Sequence, residues 1–349
     1  MARTADIVVV GGGVVGCAIA YELAKCGLGV TLVERGTPGC EASSAGAGML
    51  IPGGASSAHG PMFNLALASK ALYPDLALEL RERTGLDVEY ETGGDLHCFL
   101  DEGDEALGRA ACAWQREAGL KAELLARTEA LALEPELGPE GRGALWAPED
   151  HWVNSPRLVT ALAGAAALER VAFVRGEVTA IVRTGARITG VRVGDEVVRS
   201  AAVVLAAGAW SGQLAASAGV HLPVGPVRGQ IVCLEGIPRR LHHLLHVKDH
   251  YLVPRVNGEI LIGASVEWAG FAKQVTAEYV RAALDDAIRL APSLGRLPIK
   301  ATWAGFRPWT PDERPVIGPW PGLEGLVVAT GHFRSGILLA PITGRLVRE

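Results

Sequence analysis

The hydrophobic pattern is clearest in the first 35 residues. Residues 6–10, DIVVV, form a strand-like run that is continuously apolar from Ile7 onward, as in a strand buried on both faces. From Val14 to Lys25 the apolar residues recur with a helical period, and a second apolar run, GVTLVE, ends at Glu34. This order predicts a strand, a helix and a second strand, which together form a βαβ unit.

Three glycines, Gly11, Gly13 and Gly16, follow the first strand in G-x-G-x-x-G spacing. In a dinucleotide site the first glycine makes the tight turn, the second admits the pyrophosphate, and the third lets helix pack on strand. Glu34 can then accept hydrogen bonds from the adenosine ribose hydroxyls, which favours NAD or FAD over NADP. The predicted contacts of this unit are Gly11, Gly13, Val14, Val15, Gly16, Glu34 and Arg35. The alternative is a glycine-rich βαβ unit with no ligand.

The next stretch, CEASSAGAGMLIPGG at residues 40–54, is rich in small side chains. Ser43 or Ser44 can cap a helix that runs towards Met49. Small residues such as Ala47 and Gly48 would let backbone N–H groups approach a flat ligand, as an extended FAD requires. A tightly packed helix of small residues, without a ligand, is the competing interpretation.

Short alternating strands with tight turns occupy the region after residue 170 and end in VVLAAGAWS. The pattern predicts a small antiparallel meander followed by a strand that returns to the first sheet. Val178 on this meander is a plausible backbone contact for an adenine ring, and Gly208 after the return strand is a further predicted cofactor contact.

Near the end, ATGHFRSGILLAP at residues 329–341 predicts a strand, a turn from Gly331 to Gly336 and an apolar helix. Arg334 lies in that turn between apolar elements. Because an unpaired guanidinium is unfavourable to bury, Arg334 needs water, a carboxylate or a bound anion. The free N–H groups at the start of the last helix would face the same ligand.

Composition excludes several classes of partner. The 349 residues include 33 basic and 38 acidic ones, a net charge of −5, so nucleic acid and anionic membranes are not expected partners. No apolar run reaches the roughly 18 residues of a membrane span, and the N-terminus resembles no signal peptide, so a cytoplasmic location is expected. The six cysteines have no metal-like spacing; we expect them to be buried and expect no metal site.

Four stretches resemble the D-amino-acid oxidase superfamily of FAD enzymes, and within it the glycine oxidases of thiamine biosynthesis: VVVGGGVVGCAIAYELA, SSAGAGML, AGFRPWTPDERPVIG and GHFRSGILLAPITG. The resemblance covers essentially the whole chain. It implies an α/β fold in which an FAD-binding Rossmann-like (GR2-type) domain is interleaved with an α+β substrate domain on a mostly antiparallel sheet. The expected ranges are 1–84, 145–215 and 310–349 for the FAD-binding domain, and 85–144 and 216–309 for the substrate-binding domain. The last helix, ending at Glu349, is expected to be short.

The resemblance also implies roles for residues. Arg307 would clamp the substrate carboxylate, with Tyr251 adding a hydrogen bond and Arg334 beside them. The flavin contacts in this region would be His332, Phe333, Arg334, Ser335, Gly336, Ile337 and Leu338. Asp249 and His250 depart from the glycine oxidase pattern, in which a histidine lies two places before the tyrosine. The remaining histidines, including His242 and His243, are expected to face solvent.

The expected reaction is oxidation of glycine, sarcosine or a small D-amino acid by hydride transfer to flavin N5, with oxygen as acceptor. The products would be a 2-oxo acid, ammonia and hydrogen peroxide. The FAD would be non-covalent, because the loop AGFRPWTPD contains no cysteine. The family implies a homo-oligomer, such as a tetramer. The alternatives are a dehydrogenase that passes electrons to a quinone or protein, an NAD-linked dehydrogenase, and a non-catalytic flavin-binding protein.

Overall fold

Strands and helices alternate along the chain. The structure, a computed structural model, describes residues 4–55 and 60–349. The strands are β1 (Thr4–Val10), β2 (Val30–Glu34), β3 (Met49–Leu50), β4 (Asp95–Phe99), β5 (Glu123–Ala126), β6 (Gly143–Ala147), β7 (His151–Trp152), β8 (Ala172–Arg175), β9 (Val178–Thr184), β10 (Arg187–Val193), β11 (Glu196–Leu205), β12 (Gly225–Glu235), β13 (Leu244–Val247), β14 (His250–Pro254), β15 (Glu259–Gly263), β16 (Ile299–Trp309), β17 (Val316–Pro319) and β18 (Leu326–Thr330). The helices are α1 (Val14–Lys25), α2 (Ala42–Ala45), α3 (Pro52–Ala55), α4 (Pro61–Lys70), α5 (Tyr73–Thr84), α6 (Glu102–Glu117), α7 (Arg127–Leu133), α8 (Ser155–Leu168), α9 (Ser211–Ala216), α10 (Ala277–Leu290) and α11 (Gly336–Arg348).

The first large sheet carries the glycine motif. Its strand order is β17-β18-β11-β1-β2-β8, and β10 and β9 continue from β11. Strand β1 lies between β11 and β2 and is parallel to both, so the last strand of the meander returns beside β1 as predicted. Helices α1, α8 and α11 pack on one face, where Ile19, Leu162 and Leu339 are fully buried. The Rossmann-like half of the predicted fold is confirmed.

The second large sheet has the order β16-β12-β15-β14-β13-β4-β6-β5. Its neighbours pair antiparallel except β13 and β4, which run parallel. Helix α10 covers one face, burying Ala283 and Ala287. The opposite face carries Ile231, Tyr251 and Trp303 and points towards the first sheet. The predicted α+β half on a mostly antiparallel sheet is likewise confirmed.

The two sheets take their strands from alternating parts of the chain. The first uses segments within residues 4–34, 172–205 and 316–330, and the second uses segments within 95–147 and 225–309. This alternation is what an interleaved arrangement requires. The boundary predicted between residues 144 and 145 falls inside β6, and the division at the named boundaries stays a prediction.

Two sequence expectations concern burial. Cys17, Cys98, Cys112 and Cys233 are buried as predicted, whereas Cys26 and Cys40 are exposed, so the expectation was wrong for those two. Within residues 4–55 and 60–349, no helix combines the length and the apolarity that crossing a bilayer requires.

Candidate active site

A cavity of about 1160 Å³ lies between the two sheets. It is larger than the roughly 300–1,000 Å³ of a site for one drug-sized ligand, so it has room for an extended cofactor and a small second ligand. Most of the residues singled out in the sequence line it. They are Gly11, Gly13, Val14, Val15, Glu34, Arg35, Ser43, Ala47, Gly48, Met49, Val178, Gly208, Tyr251, Arg307, His332, Phe333, Arg334, Ser335, Gly336, Ile337 and Leu338. Gly16 and Ser44 do not line it.

The glycine turn is shaped by close backbone packing. Gly11 has φ 105°, and a Cβ there would lie 2.5 Å from the carbonyl oxygen of Ala206. A Cβ on Gly16 would lie 1.9 Å from the carbonyl oxygen of Gly11. Gly16 therefore lies behind the cavity lining, where its lack of a side chain lets α1 pack against the glycine turn. Gly11 and Gly13 form the part of the turn that lines the cavity.

Glu34 is held at the end of β2 by two backbone donors. The N–H of Gly12 donates to its Oε2 at 2.7 Å, and the N–H of Gly36 donates to its Oε1 at 2.8 Å. Each carboxylate oxygen keeps further acceptor capacity, so Glu34 can also accept from a ligand in the cavity. The start of α1 has no acidic residue, which keeps its positive end available for an anion.

Ser43 serves a different helix from the one predicted. Helix α2 covers only Ala42–Ala45, with Glu41 at the capping position, and Met49 begins a short strand. The expectation that Ser43 or Ser44 caps a helix running towards Met49 was therefore wrong. The helix ends at Gly46, whose backbone is extended, and Gly48, with φ 85°, then packs against the carbonyl of Val153. The hydroxyl of Ser43 instead accepts from the N–H of Val14, the first residue of α1, at 2.9 Å.

The far end of the cavity is framed by Arg35 and Trp210. The guanidinium of Arg35 lies 3.9 Å from the centre of the Trp210 ring and pairs with Glu41 at 3.1 Å. Val178 begins β9 on this wall. Gly208 also lines the cavity, and its carbonyl accepts from the Thr330 hydroxyl at 3.0 Å. The contacts of Val178 with adenine and of Gly208 with the cofactor stay predictions.

The turn before α11 joins the two halves of the cavity. The N–H of Phe333 donates to the carbonyl of Pro308 at 2.9 Å, which fixes this turn against the end of β16. The His332 ring is buried and its Nε2 contacts the Thr343 hydroxyl at 3.0 Å; burial lowers its pKa to about 4. His332 is therefore neutral at pH 7, and its ring is a structural element rather than a titrating group in the cavity. No side chain caps the start of α11.

Arg307 and Arg334 face this cavity without an acidic partner. Arg307 is half-buried and donates from Nη1 to the carbonyl of Ser265 at 2.8 Å. Arg334 is exposed to solvent at the cavity lining, and its guanidinium lies 5.0 Å from the centre of the Phe333 ring. No carboxylate of the described residues forms an ion pair with either of them. Burial lowers the pKa of Arg307, and the nearby Arg334 adds to that effect. Arg307 is the guanidinium withdrawn from water, so its lack of a counter-ion predicts a bound anion, and the exposed Arg334 adds positive charge at the same end of the cavity.

Tyr251 lies beside Arg307. Burial raises the pKa of its hydroxyl, and the adjacent Arg307 guanidinium opposes that shift, so the phenol stays protonated at pH 7. Two glycines leave room for these side chains. A Cβ on Gly263 would lie 2.7 Å from the Tyr251 ring, and a Cβ on Gly229 would lie 2.4 Å from Nη1 of Arg307.

Two cavity histidines, and a buried aspartate behind them, were not predicted from the sequence. His97 on β4 and His246 on β13 stack with ring centres 4.3 Å apart. Nδ1 of His246 lies 2.9 Å from Oδ1 of the fully buried Asp95, and Nε2 of His97 lies 3.1 Å from Oδ2. Three such groups could ligate a metal ion, but Oδ1 of Asp95 is already hydrogen-bonded to His246, while Oδ2 and Nε2 of His97 lie close without a hydrogen bond. We describe the group as a His–Asp–His triad. The available signal was weak: each histidine occupies one position of a short, mostly apolar strand, DLHCF or LLHV.

The expectation that the remaining histidines face solvent was partly wrong. His242 is exposed as expected. His243 instead packs edge-on against Trp146 and lies 3.3 Å from the buried Glu134. His97 and His246 line the cavity, because the pairing of β4 with β13 turns both inward.

Comparison with known proteins places this geometry in context. The chain matches the FAD dependent oxidoreductase family, DAO, over residues 6–349. It is 39% identical over 347 residues to a glycine oxidase of Pseudomonas aeruginosa, covering 98% of this chain and 93% of that protein. It is also 37% identical over 391 residues to the hydrogen cyanide synthase subunit HcnC of the same organism, covering 100% of this chain and 94% of that protein.

A solved structure gives the same result for the fold. The crystal structure of glycine oxidase from Geobacillus kaustophilus superposes with a TM-score of 0.95 at 38% identity, covering 99% of this chain and 94% of that one. The similarity therefore extends over both sheets and over the cavity between them.

Proposed function

The chain belongs to the DAO family of FAD-dependent oxidoreductases, and from that premise we propose that it oxidises glycine and other small amines, such as sarcosine and small D-amino acids. The products would be a 2-oxo acid, ammonia and hydrogen peroxide. The relatives named glycine oxidase support this choice among amino-acid oxidases.

The observation that carries the proposal is the pair of unpartnered guanidinium groups. Arg307 and Arg334 line one cavity with Tyr251, and neither has a carboxylate partner among the described residues. A planar guanidinium matches a carboxylate with two parallel hydrogen bonds, so an α-amino acid supplies the missing anion. A simple amine would leave both charges uncompensated.

The cavity also fits FAD. The glycine turn with the N-terminus of α1 would hold the pyrophosphate, Glu34 the ribose, and the start of α11 the flavin. When bound, FAD supplies a two-electron acceptor next to the substrate and its reoxidation by oxygen. Because residues 304–312 contain no cysteine, we propose non-covalent attachment.

The residues of the chain bind and orient the substrate. Arg307 and Tyr251 would fix the carboxylate, and the Phe333–Pro308 hydrogen bond would hold Arg334 at the same end. Such orientation removes the entropic penalty of bringing the α-carbon to its acceptor. We assign Arg307, Tyr251 and Arg334 to substrate binding and the remaining predicted cavity residues to FAD.

The decisive experiment is an anaerobic visible spectrum of the purified holoprotein before and after addition of glycine. We expect the flavin spectrum to bleach and to recover in air with formation of peroxide. Acid precipitation of the same sample should release the FAD into the supernatant. Bleaching by sarcosine, D-alanine or D-proline but not by glycine would move the substrate within the proposed class. A flavin that none of these compounds reduces would refute the proposal.

Two other activities can be separated in the same reaction. Similarity over the whole chain to a hydrogen cyanide synthase subunit favours a second candidate, so cyanide should be measured beside glyoxylate. A dehydrogenase would reduce an added quinone faster than oxygen. We expect peroxide, glyoxylate and no cyanide.

A further inference from the structure

A row of side chains crosses the cavity face of the second sheet. Strand pairing places His97 beside His246, His246 beside Tyr251, and Tyr251 beside Gly263. The rings of His246 and Tyr251 are 6.0 Å apart, and Tyr251 in turn contacts Arg307. The triad of Asp95, His97 and His246 therefore lies next to the proposed carboxylate clamp, on the side of Tyr251 away from Arg307.

The hydrogen bond between His246 and Asp95 sets the proton positions on the His246 ring. An ionised carboxylate only accepts, so Nδ1 of His246 carries the hydrogen and donates it to Oδ1 of Asp95. The carboxylate stays ionised, because the two histidines outweigh the effect of burial and hold the pKa of Asp95 below its usual range. With the hydrogen on Nδ1, Nε2 is the acceptor nitrogen of the ring, which lines the cavity and keeps 23% of its side chain exposed.

The proposed reaction leaves a task for such an acceptor. A free amino acid near pH 7 carries an ammonium group, whereas only a neutral amine can release a hydride from its α-carbon. One N–H bond of the ammonium must therefore break and its proton must go to a base.

We propose that His246 is that base: its Nε2 contacts the substrate nitrogen and accepts one ammonium proton, while Asp95 fixes the ring. This inference rests on the proposed function and adds a catalytic residue to it. The N–H bond breaks, an Nε2–H bond forms, and the imidazolium is stabilised by Asp95. After turnover the proton passes to solvent through the open side of the cavity.

The charges around His246 are consistent with this role. From β4 it meets Asp95 and His97, and from β14 it meets the protonated Tyr251. Asp150 lies beyond His97, and burial and the charge of Asp95 raise its pKa to about 7. Its Oδ1 lies 3.9 Å from Nζ of Lys70. The positive charges of Arg307 and Arg334 lie on the other side of Tyr251, whose pKa both of them lower. The cavity thus has a cationic end and an end that carries the Asp95 charge, matching a zwitterion.

The test compares two ligands that cannot be oxidised at an α C–H bond. These are 2-aminoisobutyrate and its isostere 2-hydroxyisobutyrate, which has a hydroxyl in place of the ammonium. Binding to the oxidised holoprotein is measured by calorimetry between pH 6 and 9, without turnover. If a base in the cavity accepts the ammonium proton, wild-type affinity for the amine ligand should fall at least tenfold from pH 9 to pH 6, because a proton already on that base would repel the ammonium. The affinity for the hydroxy ligand should change less than threefold.

The variant His246→Gln should lose this pH dependence. Anaerobic flavin reduction by glycine should be roughly a hundredfold slower at pH 7.5, the lower end of what a general base contributes. The difference in reduction rate between wild type and His246→Gln should become smaller towards pH 10, where free glycine loses its ammonium proton without a base from the protein. His243→Gln is the matched control, because it removes an imidazole paired with a buried carboxylate outside the cavity. This control should keep the wild-type pH dependence of ligand affinity and of flavin reduction.

The outcomes are separable. An equal pH dependence for both ligands in the wild type, or a deficit in His246→Gln that is the same at every pH, would overturn the assignment of His246. The wild-type measurement needs no variant, so the test holds even if His246→Gln fails to fold. A wild-type flavin that no amino acid reduces would instead overturn the proposed function, and this inference with it.

Discussion

The position of the Arg307 guanidinium depends on the absence of a side chain at Gly229. A Cβ at residue 229 would lie 2.4 Å from Nη1 and 2.6 Å from both Cζ and Nη2 of Arg307. Ordinary van der Waals contacts of this kind begin at 3.4 Å, so Gly229→Ala must displace the head group by about 1 Å. Because that head group ends a flexible side chain, the displacement should change ligand binding far more than folding.

The magnitude follows from the hydrogen bonds at risk. A charge-assisted hydrogen bond contributes about 1.5–3 kcal/mol, and each 1.4 kcal/mol is a factor of ten in affinity. Gly229→Ala should therefore raise the KM for glycine, and the Kd of 2-hydroxyisobutyrate, by about ten- to a hundredfold. Arg307→Ala should have at least the same effect, while Tm should shift by less than about 3 °C in the glycine variant.

The assay is steady-state peroxide formation with titrated glycine, and the control is Gly225→Ala. Gly225 lies on the same strand, β12, and a Cβ there meets no atom within 4 Å. This control should leave both KM and Tm unchanged. If Gly229→Ala kept the wild-type KM while Arg307→Ala raised it, the argument that Gly229 positions the guanidinium would be wrong.

Two further predictions concern packing and pH. In Gly263→Ala the new Cβ would lie 2.4 Å from Cδ1 of the buried Ile231 and 2.7 Å from the Tyr251 ring. Because Ile231 is held by its neighbours, urea unfolding should show about 1–3 kcal/mol of destabilisation together with a raised KM, and wild-type stability would contradict this. Burial lowers the pKa of His332 in the folded chain from 6.5 to about 4. As the pH falls from 6.5 to 4, the unfolded chain therefore takes up a proton on this ring before the folded chain does, and the free energy of unfolding decreases by about 3 kcal/mol. Urea unfolding at pH 7 and pH 4.5 should show a smaller loss for His332→Gln than for wild type, and equal losses would mean that His332 does not titrate in this range.

The first βαβ unit was predictable because its signals are local. The helix begins at Val14 and ends at Lys25 as the periodicity indicates, and the glycine spacing is read within a few residues. The return of the meander beside β1 followed from its order along the chain. Local hydrophobic pattern and turn chemistry determine these features, so they are visible in the sequence alone.

The triad was not predictable, since it depends on pairing between distant strands. His97 and His246 meet only because β4 pairs with β13, and nothing local in DLHCF or LLHV specifies that partner. Ser43 shows the same limit on a smaller scale. The local sequence predicts that its hydroxyl caps a helix, but the hydroxyl accepts a hydrogen bond from the N–H of Val14 on a different element.

The carboxylate clamp and the junction between the sheets depend on the same contact. Arg307 belongs to β16 of the second sheet, and Arg334 belongs to the turn after β18 of the first. The Phe333–Pro308 hydrogen bond ties that turn to the end of β16, so the two guanidinium groups approach only when the sheets are joined. Arg334 lowers the pKa of Arg307, so the two charges repel each other across the junction, and an anion bound to Arg307 would relieve that repulsion. A bound carboxylate should therefore stabilise the interface as well as orient the substrate, which links substrate binding to the integrity of the flavin cavity.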